Sequence, residues 1–168
     1  MAIQVGDRLP EGTLSESTEF DSATGCPMKP QPVSVTEAAQ GKKIVIFAVP
    51  GAFTPLCSAQ HLPGYVANAE QFKAKGVDEV WCLAVNDGFV MAAWGREQNA
   101  GGKVRMLADG SAEYTKKLGL ERDLTAGGMG IRSLRYAMIV EDGVVTHLGI
   151  EAPSKFEVSN AESILAKL

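Results

Sequence analysis

Residues 42–58, KKIVIFAVPGAFTPLCS, decide how this chain is read. IVIFAV is an uninterrupted apolar run without alternation. A strand of that kind is buried on both faces, as in the middle of a helix-covered sheet. Pro50-Gly51 ends the run. Thr54 is then a good helix N-cap, and Pro55 suits the first helical position, where its missing N–H costs nothing. Cys57 falls at the third helical position. Free N–H groups and the helix dipole in the first turn favour an anion there, and a thiolate is an anion. The sulfur also lies past the carboxyl end of the strand, where open α/β sheets place their sites.

The pattern continues outward. A helix is predicted from Pro55 to about Lys75, with Gly76 as its stop and Leu62, Val66, Ala69 and Phe72 facing inward. Pro63-Gly64 should break or kink it. Val80–Val85, VWCLAV, is a second doubly buried strand, and Asn86 or Asp87 caps a helix to about Glu97. Val104–Leu107 is a third strand and Ser111–Leu118 a helix. Leu134–Val140 and Val144–Ile150 form a hairpin through Asp142-Gly143. Ser159 and Glu162 make an S-x-x-E capping box for a final helix. TEAAQG predicts a short helix from a Thr36 cap to a Gly41 stop, whereas residues 10–33 are loop-rich. This order predicts one α/β domain over residues 1–168, with a central mixed β-sheet flanked by helices on both faces. A thioredoxin-like arrangement fits it.

The totals narrow the function classes. The 168 residues suit one domain, and 45% hydrophobic with 21% charged residues is ordinary for a globule. A net charge of −4 gives no footprint for nucleic acid or an anionic membrane. MAIQVGDRLPEG lacks a basic start and an apolar stretch, and three widely spaced cysteines do not form a disulfide framework. A cytoplasmic, reducing location is expected.

A helix terminus alone does not make a catalyst. A free cysteine is only about 3% thiolate at neutral pH, so full ionisation raises reactivity at most roughly 30-fold. Groups that stabilise a transition state must come from elsewhere in the chain. Arg132 and Arg135, in GIRSLRYAMIV, are candidates: a guanidinium beside Cys57 would hold the thiolate and hydrogen-bond an attacked oxygen. An arginine at a strand start more often faces water, and the plain alternative for Cys57 is a small apolar residue at a helix start. His61, four residues after Cys57, opens a Cys–His hydrolase reading, without an evident Asp or Asn partner. Cys82 reads as an inert core thiol, Cys26 as an incidental surface thiol and His147 as structural. Nothing in the His and Cys spacing predicts a metal site.

VPGAFTPLCSAQHLPGYV, residues 49–66, resembles the active-site segment of the peroxiredoxins, in the type-5 or plant type-II subgroup. Pro50, Thr54 and Cys57 meet the family's P-x-x-x-T-x-x-C motif. VNDGFVMAAWG, VRMLADGSAEYTKKLGL, RSLRYAMIVEDGVV and KFEVSNAESILAKL extend the resemblance along the chain. It implies a thioredoxin-like fold and thiol-dependent reduction of hydrogen peroxide and organic hydroperoxides. Cys57 would be the peroxidatic cysteine, passing through a sulfenic acid. Thr54 and first-turn N–H groups would hold the peroxide, Arg135 would stabilise charge on sulfur and leaving oxygen, and Pro50 would shield the site. Animal type-5 members carry a resolving cysteine near the C-terminus, and KFEVSNAES has none. Plant type-II members carry a second cysteine in the VWCLAV-like strand, but Cys82 would have to leave a packed sheet to reach Cys57. The expectation is therefore a one-cysteine cycle recycled by glutathione, glutaredoxin or thioredoxin. No resident cofactor is expected, and a homodimer would pack near GAFTP. A peroxide-sensing interaction protein using the same thiol is the alternative.

Overall fold

In the computed structural model, which describes residues Met1 to Leu168, the apolar run forms strand β3 (Lys43–Ala48). It pairs parallel with β4 (Glu79–Ala84) and antiparallel with β8 (Tyr136–Glu141). β4 pairs parallel with β5 (Arg105–Ala108), and β8 pairs antiparallel with β9 (Val144–Ile150). β1 (Thr13–Glu16) and β2 (Gln31–Ser34) add the far edge, giving the order β2-β1-β5-β4-β3-β8-β9. The hairpin turn places Asp142 and Gly143 both at positive φ, 46° and 80°, as a two-residue turn between twisted strands requires.

Alternate residues of the central strands feed two cores. Val45, Phe47, Cys82 and Ala84 pack with Tyr65 of α2 (Leu62–Ala67), Phe72 of α3 (Ala69–Ala74), Trp94 of α4 (Gly88–Glu97) and Ile164 of α6 (Ala161–Leu165). Ile44, Ile46, Trp81 and Leu83 pack with Val35 of α1 (Val35–Ala39) and Leu118 of α5 (Glu113–Leu118). Helices therefore cover both faces, which is why the strands are apolar throughout. Each fully buried large side chain such as Phe47 contributes roughly 1.5–3 kcal/mol.

Several local expectations change. The chain turns helical at Pro55, but Cys57–His61 forms a π-turn, α2 follows, and the helix breaks at Asn68 before α3. Pro63 cannot donate and its ring would strike a carbonyl in a regular turn. The wider turn avoids this: the Leu62 N–H bonds Cys57 O, and the freed Ser58 carbonyl accepts from Gln98 Nε2 at 3.2 Å. Ser34 rather than Thr36 caps α1 by accepting from the Glu37 N–H. Asn160 rather than Ser159 caps α6, accepting from the Ser163 N–H at 2.8 Å, because the Ser159 hydroxyl is committed to Glu151. A separate antiparallel pair, β6 (Glu121–Leu124) with β7 (Gly130–Ser133), lies in a stretch that carries no apolar alternation. No helix is long and apolar enough to cross a membrane.

Candidate active site

Three hydrogen bonds hold the segment that carries Cys57. The Ala52 N–H donates to Asn86 Oδ1 at 2.9 Å, just past β4. Trp94 Nε1, on α4, donates to Ser58 Oγ at 2.9 Å. The Ser58 N–H closes the first helical turn on Thr54 O at 2.9 Å. Phe53 sits at φ 61°, a strained conformation for an aromatic residue, and its side chain is exposed. Strain of this kind gathers at functional loops. The Leu56 and Cys57 N–H groups take no backbone acceptor and stay free at the helix start.

Cys57 is fully buried, yet its sulfur meets a cation: Arg135 Nη2 donates to Cys57 Sγ at 3.2 Å. Arg135 immediately precedes β8, which neighbours β3, so sheet order alone carries the guanidinium to the mouth of β3. The other fork of Arg135, Nη1, lies 2.8 Å from His61 Nδ1. His61 Nε2 lies 3.0 Å from the Ser159 carbonyl, which can only accept. Nε2 therefore carries the ring proton, and Nδ1 accepts from arginine. Burial first, and then the Arg135 charge, push the His61 imidazole down to about 3. It is neutral at pH 7 and orients Arg135. Phe156 packs its ring 5.9 Å from the same guanidinium carbon.

Behind the histidine lies a clamp that no sequence pattern announced. Buried Glu151 accepts from the N–H groups of Glu157, Val158 and Ser159 and from the Ser159 hydroxyl at 2.6 Å. Burial opposes its charge, but the Ser159 hydroxyl and the three N–H groups outweigh it and hold the carboxyl below its ordinary range. The clamped Ser159 carbonyl also accepts from the Tyr65 hydroxyl at 2.7 Å. A chain of contacts thus runs Glu151, Ser159, His61, Arg135, Cys57. The only advance signal was the His61 position one helical turn beyond the cysteine.

The remaining candidates fall into place around this chain. Thr54 stands at the cap position, but its hydroxyl donates to Gly51 O at 2.7 Å instead of capping with its oxygen. That leaves its lone pairs free to accept. Pro50 is half-buried on the rim, and its carbonyl accepts from Arg132 Nη1 at 3.2 Å. Arg132 is therefore a loop anchor, and Arg135 is the arginine at the thiol. A Cβ on Gly51 would meet Arg132 Nη1 at 2.8 Å, so a larger residue there would push that guanidinium aside. Both nitrogens of His61 are committed to Arg135 and Ser159, which removes the Cys–His hydrolase reading. Cys82 is fully buried opposite Phe47 in the sheet, Cys26 is exposed, and His147 sits within β9. Burial, and then the neighbouring Cys57, push the Cys82 thiol up. No three His, Cys, Asp or Glu side chains converge as a metal site.

Residues 4–165 match the Redoxin family. Peroxiredoxin-2C of Arabidopsis thaliana is 48% identical over 166 residues, 99% of this chain and 98% of that protein. Peroxiredoxin-2C of rice, Oryza sativa subsp. japonica, is 49% identical over 166 residues, with the same coverage of each. The chain belongs to the redoxin family, among the plant type-II peroxiredoxins. A crystal structure of reduced Prx3 from Vibrio vulnificus in complex with H2O2 superposes with a TM-score of 0.90 at 55% identity, covering 98% of each chain. The fold is thioredoxin-like, as the element order implied, and the activity is that of a thiol peroxidase. This peroxiredoxin reduces hydroperoxides with electrons drawn from a thiol.

Proposed function

We propose that this peroxiredoxin runs a one-cysteine cycle in which Thr54, Arg135 and Pro50 serve the attack by Cys57. The thiolate attacks one peroxide oxygen, the O–O bond breaks, and the distal oxygen leaves as alcohol or water after taking a proton. Sulfur gains the other oxygen as a sulfenic acid. Arg135, held at 3.2 Å from the sulfur and oriented by neutral His61, stabilises the thiolate and the charge that grows along the O–O bond. The Thr54 hydroxyl accepts from the peroxide O–H while donating to Gly51 O, and the free Leu56 and Cys57 N–H groups receive the oxygens. Pro50 narrows access for water.

The observation that carries the one-cysteine reading is the position of Cys82, fully buried between paired strands. The sulfenic acid is then reduced by an external thiol, glutathione with glutaredoxin, or thioredoxin. The cycle needs no resident cofactor. The exposed Phe53 in GAFTP gives a homodimer an apolar contact beside the site, and a reducing cytoplasm suits a free-thiol cycle. A coupled assay with each reductant tests the reading. Cys57→Ser should abolish hydroperoxide reduction, and Cys82→Ser should retain turnover with glutathione. A Cys57–Cys82 disulfide trapped by mass spectrometry in the working enzyme would overturn it.

A further inference from the structure

Beside Cys57 the surface opens into a cleft of about 300 Å³, whose lining includes Pro50, Leu56, Arg122, Arg135, Glu151 and Lys155. Its charged groups are three cations and one carboxylate. That carboxylate, Glu151, is spent inward on the N–H groups of Glu157, Val158 and Ser159. Neither Arg122, Arg135 nor Lys155 is ion-paired. A second observation points the same way. Arg122 and Arg132 stand directly opposite each other in the β6–β7 register. Like charges in that position destabilise a two-stranded pair. No carboxylate relieves them, and Arg132 is held in place by the carbonyls of Met129 and Pro50. The hairpin at the rim thus carries a repulsion that a bound anion would remove.

Hydrogen peroxide is small and neutral and gains nothing from such a rim. A reducing thiol is larger, must bring its sulfur to Cys57 past these side chains, and can carry carboxylates. We infer that the cleft is a carboxylate subsite for the small-molecule thiol that recycles Cys57, an inference that rests on the one-cysteine reading above. The first thiol condenses with the sulfenic acid, forming a mixed disulfide and releasing water. A second thiol attacks that disulfide, freeing the Cys57 thiol and leaving as the oxidised thiol dimer. Arg122 and Lys155 act on the approach of the charged thiol and leave the chemistry at sulfur to Arg135.

The test compares wild type with the Arg122→Gln/Lys155→Gln double variant, each pre-oxidised with one equivalent of peroxide. Rapid mixing measures reduction by glutathione and by uncharged 2-mercaptoethanol. The readout is the ratio of the two rate constants within each protein, so any general loss of folding cancels. That ratio should fall about tenfold in the variant at low ionic strength, and the difference should shrink in high salt. An unchanged ratio overturns the proposal. A parallel arm compares oxidation by a carboxylate-bearing hydroperoxide with oxidation by tert-butyl hydroperoxide. A change confined to that arm assigns the cleft to the oxidising substrate and also overturns the proposal. If neither thiol reduces oxidised wild type, the one-cysteine reading itself fails, a result distinct from both.

Discussion

Removing the Arg135 guanidinium tests the contact at the centre of the mechanism. A unit charge 3.2 Å from a thiolate interacts with about 5 kcal/mol at an effective dielectric of ~20. Arg135 is half-buried, so solvent competes, and the net value of a hydrogen bond to a charged group is nearer ~1.5–3 kcal/mol. That corresponds to about 10- to 150-fold in rate. In the proposed cycle the donor also serves the leaving oxygen, and deleting one such donor in other enzymes costs about 100-fold or more. Arg135→Ala should therefore slow oxidation of Cys57 by roughly 100-fold. Arg135→Lys should recover only part, because an ammonium cannot fork between Cys57 Sγ and His61 Nδ1. Stopped-flow fluorescence suits the measurement, since the Trp94 indole is hydrogen-bonded to Ser58, next to the reacting cysteine. Circular dichroism confirms folding. A folded Arg135→Ala protein that oxidises within threefold of wild type would refute the electrostatic account.

Three further perturbations probe the supporting chain. The unfolded chain protonates His61 near ~6.5 while the folded one holds it at about 3, so the unfolded state gains the proton first and stability falls as pH drops below 6.5. By pH 4 this costs roughly 3 kcal/mol. Urea midpoints of wild type and His61→Gln should converge over that window; a constant gap would show that His61 is not the titrating group. In peroxidase assays His61→Gln, which can still donate to Ser159 and accept from Arg135, should exceed His61→Leu by about tenfold. Glu151→Ala strands three N–H groups and a hydroxyl and should cost about 2–3 kcal/mol, read as a lower melting temperature with faster proteolysis between Ala152 and Ser159. Cys82→Ser should lower the melting temperature, because a hydroxyl replaces a buried thiol, while glutathione-linked turnover stays within about twofold of wild type.

The local chemistry of Lys42–Ser58 determined the strand, the loop and the helix start, because apolar runs, Pro50-Gly51 and Thr54-Pro55 each act over a few residues. The parallel core, a cap at Asn86 or Asp87 and the Asp142-Gly143 hairpin were legible for the same reason, and the folded chain uses Asp87. The motif and its long resemblance identified the thiol peroxidase before any contact was known. Where two local signals competed, the packed structure chose. Ser159 left its cap position for Glu151, Thr54 turned its hydroxyl to Gly51, and Pro63 was absorbed by a π-turn instead of a simple kink. The β6–β7 pair and the Glu151 clamp carried no periodic signal, since exposed strands and a single buried carboxylate leave none. Above all, whether Arg132 or Arg135 reached the sulfur was undecidable from spacing. That choice depends on β8 lying beside β3 and on a neutral His61 receiving one fork of the guanidinium, and contacts between residues more than seventy positions apart exist only once the sheet has closed.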